Sequence, residues 1–279
     1  MQVSIIIPYY NAGQFIAETL QSVFMQKEVD FEVIVVDDGS DKEHVEILQK
    51  CRERYEFKLL SQANKGVSSA RNKGAYEAKG DFLLFLDADD ELKDNALFQL
   101  FEFKDNSDVM VGDCLGNPNK KRYKSKLTDN NFVKGMKIQV GTALIKSELF
   151  YAVKGFNETL NYSEDMDLWF RLWLQGCRFK SFEHVVLNYR IHENSSMNVK
   201  NEKLFKHNLK SLEYRIQKIK QKGEFSKYKH VFKARIETLH WYARDFGFKT
   251  IFQSYLFALK SNLGYMIFKK FIKNDWRYF

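Results

Sequence analysis

The first part of the chain alternates between short apolar runs and segments in which apolar residues recur at helical spacing. The runs are rich in β-branched and aromatic residues, which is typical of strands buried on both faces. They cover residues 3–8, 31–36, 57–60 and 82–86. Strands that alternate with helices of this length predict βαβ units and a mainly parallel sheet, and therefore an α/β fold.

Two acidic clusters follow predicted strands. A DDGS segment beginning at Asp37 follows the second strand, and a DADD segment beginning at Asp87 follows the fourth. Because ligands of such sheets gather at the carboxyl ends of the strands, both clusters are candidate ligand groups. Ser40 and Glu43 have the spacing of a capping box, so a helix is predicted to begin at Ser40 with this serine as its cap.

Beyond residue 105 the pattern is less regular. Residues 108–111, 140–145 and 182–191 predict strands, and residues 163–174 predict a helix with acids in its first turn. From about residue 194 only helical patterns remain.

Charge divides the chain at the same place. Residues 1–199 carry 25 Lys/Arg and 30 Asp/Glu, whereas the remainder carries 19 and 6. The charge and the periodicity together predict a domain of residues 1–195 and a basic, aromatic-rich helical region of residues 196–279.

Composition narrows the class of protein. The chain has 279 residues, of which 44% are hydrophobic and 29% are charged, as in globular proteins. The uncharged first 17 residues contain polar and turn residues and no basic segment, so neither a signal peptide nor a membrane span is expected there. Three scattered cysteines, without CxxC spacing, argue against structural zinc and a disulfide framework and favour a reducing cytoplasm.

The acidic clusters suggest metal and proton chemistry. Asp87 and Asp89 can point the same way from a turn and approach one hard divalent cation that also takes phosphate oxygens. A solvated turn whose acids cap the next helix is the alternative. Asp90 favours the cation, because three acids in four residues repel one another. Asp165 could be a general base or only complement the helix dipole, and His192 could be a ligand or a structural residue.

Several common enzyme motifs are absent from the sequence. It contains no GxGxxG, no GxxxxGK[ST], no GxSxG and no HExxH. Dinucleotide oxidoreductases, P-loop NTPases, α/β-hydrolases and zincins therefore lose their usual support.

Taken together and in order, six segments resemble the family 2 glycosyltransferases with a GT-A fold. They span residues 3–192, about two-thirds of the chain, and read SIIIPYYN, FEVIVVDDGS, NKGVSSARNKG, GDFLLFLDADD, KGFNETLNYSEDMDLWFRL and YRIH. The resemblance implies a Rossmann-like, mainly parallel sheet flanked by helices. It also implies a nucleotide-sugar half of about residues 1–105 and an acceptor half of about residues 106–195.

The resemblance implies a role for each matching residue on the donor side. Pro8 and Tyr10 would flank the nucleotide base, with Asp38 hydrogen-bonded to it and Arg71 nearby. The sugar nucleotide would also contact Asp87 and Ala88. Mn²⁺ or Mg²⁺ would be held on the diphosphate by Asp89, Asp90 and His192.

On the acceptor side, the resemblance implies that Asp165 is the catalytic base and that Glu164, Trp169 and Arg171 complete the site. The expected reaction transfers a sugar, with inversion, from a nucleotide-sugar to a saccharide or lipid-linked acceptor. The family usually uses UDP-sugars. The expected pathway builds a cell-surface polysaccharide such as capsule or lipopolysaccharide.

The C-terminal region lies outside the resemblance. Phe252, Leu256, Leu259, Leu263 and Ile267 repeat at helical spacing among lysines. This stripe would attach the protein to the anionic inner face of the membrane, or it would pack on the catalytic domain.

Two other functions stay open from the sequence alone. One is a sugar-phosphate nucleotidyltransferase, although PYYNAG is a poor substitute for its glycine-rich loop. The other is a non-catalytic module that binds nucleic acid through the basic region. The second gives no reason for the acidic clusters, so no nucleic acid partner is expected.

Overall fold

The structure is a computed structural model that describes residues 2–160, 162–192, 202–243 and 257. The chain forms two compact units. The first consists of residues 1–127 and 137–192, and the second of residues 128–136 and 193–279. A short segment from the middle of the chain therefore groups with the C-terminal helices. The predicted boundary near residue 195 and the apolar stripe at residues 252–267 lie outside the described residues.

The strands of the described residues form one sheet. They are β1 (Val3–Tyr9), β2 (Phe31–Asp37), β3 (Lys58–Ser61), β4 (Phe82–Phe85), β5 (Glu91–Leu92), β6 (Val109–Asn117), β7 (Arg122–Tyr123), β8 (Ala143–Lys146) and β9 (Phe179–Arg190). Their order is β3-β2-β1-β4-β8-β6-β9-β5, with β7 paired to β6.

The α-helices of the described residues connect these strands and form the C-terminal region. They are α1 (Gly13–Phe24), α2 (Lys42–Arg52), α3 (Val67–Tyr76), α4 (Ala96–Phe101), α5 (Asp129–Lys134), α6 (Ser147–Ala152), α7 (Glu164–Leu174), α8 (Glu202–Gln221) and α9 (Phe225–Ala243). Short 3₁₀ turns cover Lys104–Asn106 and Val140–Thr142. Among the described residues, no helix is both long enough and apolar enough to cross a lipid bilayer.

The predicted α/β fold is confirmed. β3, β2, β1 and β4 pair in parallel, as the alternation of strands and helices predicts. β8 then pairs antiparallel with both β4 and β6, β9 runs parallel to β6, and β5 pairs antiparallel with β9. The parallel half carries most of the residues predicted to bind the sugar donor. The candidate site starts at the carboxyl ends of these parallel strands.

The central strand β1 is covered on both faces, which explains its continuous apolar sequence. All seven of its residues are buried. Ile5 and Ile7 belong to the core that includes α1, whereas the other face meets α3. Gly74 of α3 comes so close to Ile6 that a Cβ atom there would lie 2.5 Å from the Ile6 Cγ2 atom. Helices on opposite faces of one strand thus begin at the same edge of the sheet.

The predicted cap at Ser40 is wrong. α2 begins at Lys42 and Asp41 precedes it, without a side-chain hydrogen bond that caps the helix. The Ser40 hydroxyl instead accepts a hydrogen bond from the backbone N–H of Asn11, 3.0 Å away. The Ser40 hydroxyl oxygen therefore bonds a residue distant in the sequence and not, as the local pattern predicted, the first turn of α2. The predicted strand at residues 140–145 is also shorter, because Val140–Thr142 is a 3₁₀ turn.

Candidate active site

The DADD segment forms a tight turn directly after β4. The N–H of Asp90 donates to the carbonyl of Asp87 at 3.0 Å, which closes the turn. One carboxylate oxygen from each of Asp87, Asp89 and Asp90 lies within 4.8 Å of the others. Carboxylates at this spacing can share one divalent cation, so these residues fit the predicted metal group.

A polar stripe on α1 holds this turn in place. Thr19 donates its hydroxyl to the carbonyl of Ala88 at 2.9 Å, and Ser22 accepts the N–H of Leu92 at 3.0 Å. Just beyond the turn, the Gln26 side chain donates to the carbonyl of Lys93 and accepts the N–H of Leu97. None of these three residues is a candidate from the sequence alone. Their signal was available, because Thr19 and Ser22 lie at helical spacing beside the apolar, core-facing side of α1 and Gln26 follows the end of the helix at the same spacing.

His192 reaches the acidic turn from the far end of the chain. β9 pairs antiparallel with β5, so the strand that precedes His192 runs alongside the segment that follows the turn. The His192 Nε2 atom lies 2.8 Å from the Oδ2 atom of Asp89. Its ring packs on Phe15 of α1, with ring centroids 4.9 Å apart. The predicted ligand His192 therefore lies beside the predicted metal group.

The environment of the turn favours a compensating cation. Burial, followed by the charges of Asp87 and Asp89, raises the pKa of Asp90 well above its usual range, although the Arg190 backbone N–H donates to it. Burial and the charge of Asp87 also raise the pKa of Asp89, against the hydrogen bond with His192. Bringing a positive ion to these carboxylates would relieve their mutual repulsion.

Arg71 joins the acidic turn to the first turn of α7. This residue of α3 is only 3% exposed. Its Nη2 atom donates to Asp87 Oδ1 at 2.6 Å, and its Nη1 atom donates to Glu164 Oε1 at 2.9 Å. The guanidinium also lies over the ring of Phe156. The guanidinium therefore lies between the two groups of acids, and the place near the nucleotide base that the resemblance implies stays a prediction.

Asp165 follows Glu164 in the first turn of α7. Burial and then the charge of Glu164 raise the pKa of Asp165 to about 7, against the hydrogen bond from the Met166 N–H and the charges of Arg71 and Lys137. A carboxyl that titrates near neutral pH is suited to accept a proton. Asp165 is thus brought, through Glu164 and Arg71, into one continuous group with Asp87, Asp89, Asp90 and His192.

Asp38 organises the loop that precedes α3. Its carboxylate accepts three hydrogen bonds of 2.8 Å, from the Gln62 side chain and from the N–H groups of Lys65 and Gly66. Gly39 beside it has φ +77°, and a Cβ atom there would lie 2.8 Å from the backbone nitrogen of Asn64. Gln62 is not a candidate from the sequence alone, because nothing local marks it as a partner of Asp38.

The remaining predicted donor residues lie at the end of β1. Pro8 is buried within the strand, opposite Val36 of β2. Tyr10 follows the strand and is 53% exposed, so its ring is available to a ligand. Asn11 joins this loop to the start of α2 through two hydrogen bonds with Asp41.

Trp169 and Arg171 form part of the support of α7. Trp169 has no exposed surface, and its indole N–H donates to the carbonyl of Ile138 at 3.0 Å. Arg171 is paired with Asp167, one turn earlier in the helix, at 2.7 Å. The structure therefore does not bring Trp169 to a surface that an acceptor could touch, contrary to the acceptor-side role that the resemblance implies.

Comparison with known sequences finds a matching family profile and related proteins. The sequence profile described as Glycosyl transferase family 2 matches residues 4–166. An uncharacterised glycosyltransferase of Escherichia coli, YibD, is 38% identical over 114 residues, which are 40% of this chain and 33% of that protein. An uncharacterised glycosyltransferase of Rickettsia prowazekii, RP339, is 31% identical over 214 residues, 70% of this chain and 66% of that protein. The match thus spans about a third of YibD.

Solved structures share the fold. A structure of S. aureus TarS residues 1–349 in complex with UDP has a TM-score of 0.66 and 22% identity, covering 85% of this chain and 71% of that one. The mannosyltransferase PcManGT from Pyrobaculum calidifontis, in complex with GDP-Man and Mn²⁺, has a TM-score of 0.65 and 18% identity, covering 93% and 75%. At these low sequence identities, the structural similarity shows that this chain shares the fold of these two proteins.

Proposed function

Because the chain belongs to glycosyl transferase family 2, we propose that it moves a sugar from a nucleotide-sugar to an acceptor hydroxyl with inversion. One observation carries this proposal. A continuous series of hydrogen-bonded and neighbouring side chains runs from His192 and Asp89, through Asp87 and Arg71, to the acids at the start of α7. This series supports a single site in which some side chains would hold the metal on the diphosphate and another would accept the proton.

The donor side combines the acidic turn with the loop around Asp38. Asp89, Asp90 and His192 would hold Mn²⁺ or Mg²⁺, which supplies positive charge to a departing diphosphate. Asp87 and the backbone at Ala88 lie in the same turn and would contact the sugar nucleotide. Pro8 and the exposed Tyr10 would flank the base, and Asp38, which also orders the loop before α3, would hydrogen-bond it.

The acceptor side depends on Asp165. As the acceptor oxygen attacks the anomeric carbon, a new C–O bond forms and the bond from that carbon to the diphosphate oxygen breaks. Asp165 accepts the proton of the acceptor hydroxyl, and the electron pair of the broken bond leaves with the nucleoside diphosphate. Attack from the face opposite the leaving group inverts the configuration of the sugar. The pKa of Asp165 near 7 suits this exchange at neutral pH.

The donor is proposed to be a UDP-sugar. S. aureus TarS has been solved with UDP and with UDP-GlcNAc, whereas PcManGT holds GDP-Man, so relatives in fold use more than one base. The acceptor is proposed to be a saccharide or a lipid-linked saccharide in the synthesis of a surface polysaccharide such as capsule or lipopolysaccharide.

A cytoplasmic location at the inner face of the membrane fits such an acceptor. The second unit carries exposed lysines along α8 and α9, namely Lys206, Lys210, Lys220, Lys227 and Lys229. Lysines near an anionic bilayer attract its surface, and salt screens that attraction. Co-sedimentation with anionic and with neutral vesicles tests this, and equal binding to both contradicts it.

Nucleotide release from a panel of UDP- and GDP-sugars, with Mn²⁺ and with EDTA, tests the proposed reaction. The expected result is metal-dependent release of UDP from one donor, accelerated by the correct acceptor. Release of pyrophosphate from a nucleoside triphosphate and a sugar phosphate would instead indicate a nucleotidyltransferase. Failure of both UDP and GDP to bind in the presence of Mn²⁺ would refute the proposed donor class.

A further inference from the structure

We propose that Arg71 is a positioning residue that fixes the proton acceptor of the reaction relative to the donor-binding turn, an inference that rests on the proposed function. Arg71 uses the two ends of one guanidinium for this purpose. Nη2 bonds Asp87 at the end of β4, and Nη1 bonds Glu164 at the start of α7. These carboxylates belong to the donor side and to the acceptor side of the site.

The geometry suits arginine and does not suit lysine. A guanidinium is planar and can bind two carboxylates at fixed directions, whereas an ammonium is a compact charge on a flexible stem. The side chain of Arg71 is 4% exposed and that of Glu164 is 16% exposed, so water screens this pair little. Stacking on Phe156 further fixes the guanidinium. Arg71 can therefore hold the first turn of α7 at a set distance from β4.

The charges that face Asp165 give this link a second role. Glu164, on the same helix, opposes the ionised form of Asp165, whereas Arg71 of α3 and Lys137, which precedes the second 3₁₀ turn, favour it. The N–H of Met166 also donates to Asp165 at 2.7 Å. Lys137 is exposed and Arg71 is buried, so Arg71 is the positive charge that solvent ions screen least. Removing Arg71 and removing the charge of Glu164 should therefore shift the titration of Asp165 in opposite directions.

Carbon-13 NMR of the side-chain carboxyl groups tests this without a donor or an acceptor. The Asp165 resonance of the full chain is identified by its loss in Asp165→Asn and followed against pH. Arg71→Gln should raise the titration midpoint by about one pH unit or more, and Glu164→Gln should lower it. Arg71→Lys keeps the charge but reaches one carboxylate, so its midpoint should fall between those of the wild type and Arg71→Gln.

Lys137→Met is the matched control, because it also removes one positive charge near Asp165. Its effect should be smaller and should disappear in about 1 M salt, whereas that of Arg71→Gln should persist. Equal shifts of the midpoint in Arg71→Gln and Lys137→Met would overturn the proposal. Shifts of the same sign in Arg71→Gln and Glu164→Gln would also overturn it. Should Arg71→Gln fail to fold, an unchanged midpoint in both Arg71→Lys and Glu164→Gln overturns it equally.

Activity separates this inference from the proposed function. With a working donor, the acid limb of turnover should move with the NMR midpoint in each variant. If the midpoints move as expected but Asp165→Asn retains full turnover, the assignment of Asp165 as the base fails and the charge relationship stands. If transfer depends on Asp165 but Arg71→Lys moves neither the midpoint nor the acid limb, the role of Arg71 fails and the proposed function stands.

Discussion

The Nε2 atom of His192 lies 2.8 Å from the Oδ2 atom of Asp89, although 103 positions separate the two residues in the chain. The pairing of β9 with β5 produces this proximity, because it returns the chain to the segment that follows the acidic turn. A histidine and a carboxylate at this distance can ligate one cation together, with the neutral imidazole supplying a nitrogen.

Removal of either ligand should therefore weaken metal-dependent donor binding. Asp89→Asn and His192→Ala are each expected to lower the affinity for UDP in the presence of Mn²⁺ by about tenfold or more. Calorimetry with and without Mn²⁺ measures this. Glu46→Gln, an exposed charge change on α2, is the control and should bind as the wild type does. The metal assignment is wrong if both variants bind UDP as tightly as the wild type and if Mn²⁺ does not change their affinity.

Asp165→Asn should slow transfer without preventing donor binding. The amide cannot accept the acceptor proton, and general-base catalysis typically contributes about 10²–10⁴-fold. Turnover is expected to fall by that factor while the affinity for UDP and Mn²⁺ stays within about twofold. A parallel loss of donor affinity and turnover would place Asp165 in the nucleotide pocket instead.

Turnover should rise with pH through about 7. Because burial and Glu164 raise the pKa of Asp165 to about 7, the carboxyl is protonated and unable to act as a base in mildly acidic solution. The ionised fraction, and with it the rate at saturating substrates, increases tenfold per pH unit below this pKa. A rate profile between pH 5 and 9 measures it, and a flat profile across pH 7 contradicts this role.

The same carboxyl should make the wild type less stable as pH rises. A group whose pKa is raised on folding contributes stability that is fully present below its unfolded pKa, about 3.9, and is lost as pH rises through the folded value of about 7. Asp165→Asn removes this dependence. Urea unfolding at pH 5 and pH 8 should therefore show a smaller loss of stability in the variant, and an equal loss in both proteins would contradict the raised pKa.

Thr19→Val should loosen the acidic turn. Valine has the shape of threonine but cannot donate, so the buried carbonyl of Ala88 would lose the hydrogen bond that holds it to α1. An unsatisfied buried acceptor costs about 1–3 kcal/mol of unfolding free energy. Weaker Mn²⁺ binding should accompany this loss, and Thr19→Ser should restore both properties. Loss of stability with unchanged Mn²⁺ binding would show that the hydrogen bond does not position the ligands.

The alternation of strands and helices predicted the parallel half of the sheet, whereas the roles that the family motifs imply for the site residues stay predictions. β1, β2 and β4 agree closely with their apolar runs, since burial on both faces leaves a clear signal. The short strand β5 and its pairing with β9 left no local pattern, because a two-residue strand is defined only by its distant partner. The approach of His192 to the acidic turn was therefore implied by the resemblance alone.

The errors also have physical causes. Ser40 has the spacing of a helix cap, but the N–H of Asn11 competes for its hydroxyl and lies far away in the sequence. The burial of Arg71 left no local pattern, because the two carboxylates that make it tolerable lie 16 and 93 positions away in the sequence. Trp169 matched the family motif but serves the interior of the protein. Local patterns do not contain these long-range partners.

Because β5 pairs with β9, the chain leaves the acidic turn and returns beside it before His192. Both ends of the intervening stretch are thus held by strand pairing. The intervening stretch carries β6 and β8 of the sheet and the start of α7 with Glu164 and Asp165, so only its segments outside these elements can change in length without disturbing the site. Variation confined to those outer segments would alter what the protein recognises while the acidic turn, His192 and Asp165 keep their places.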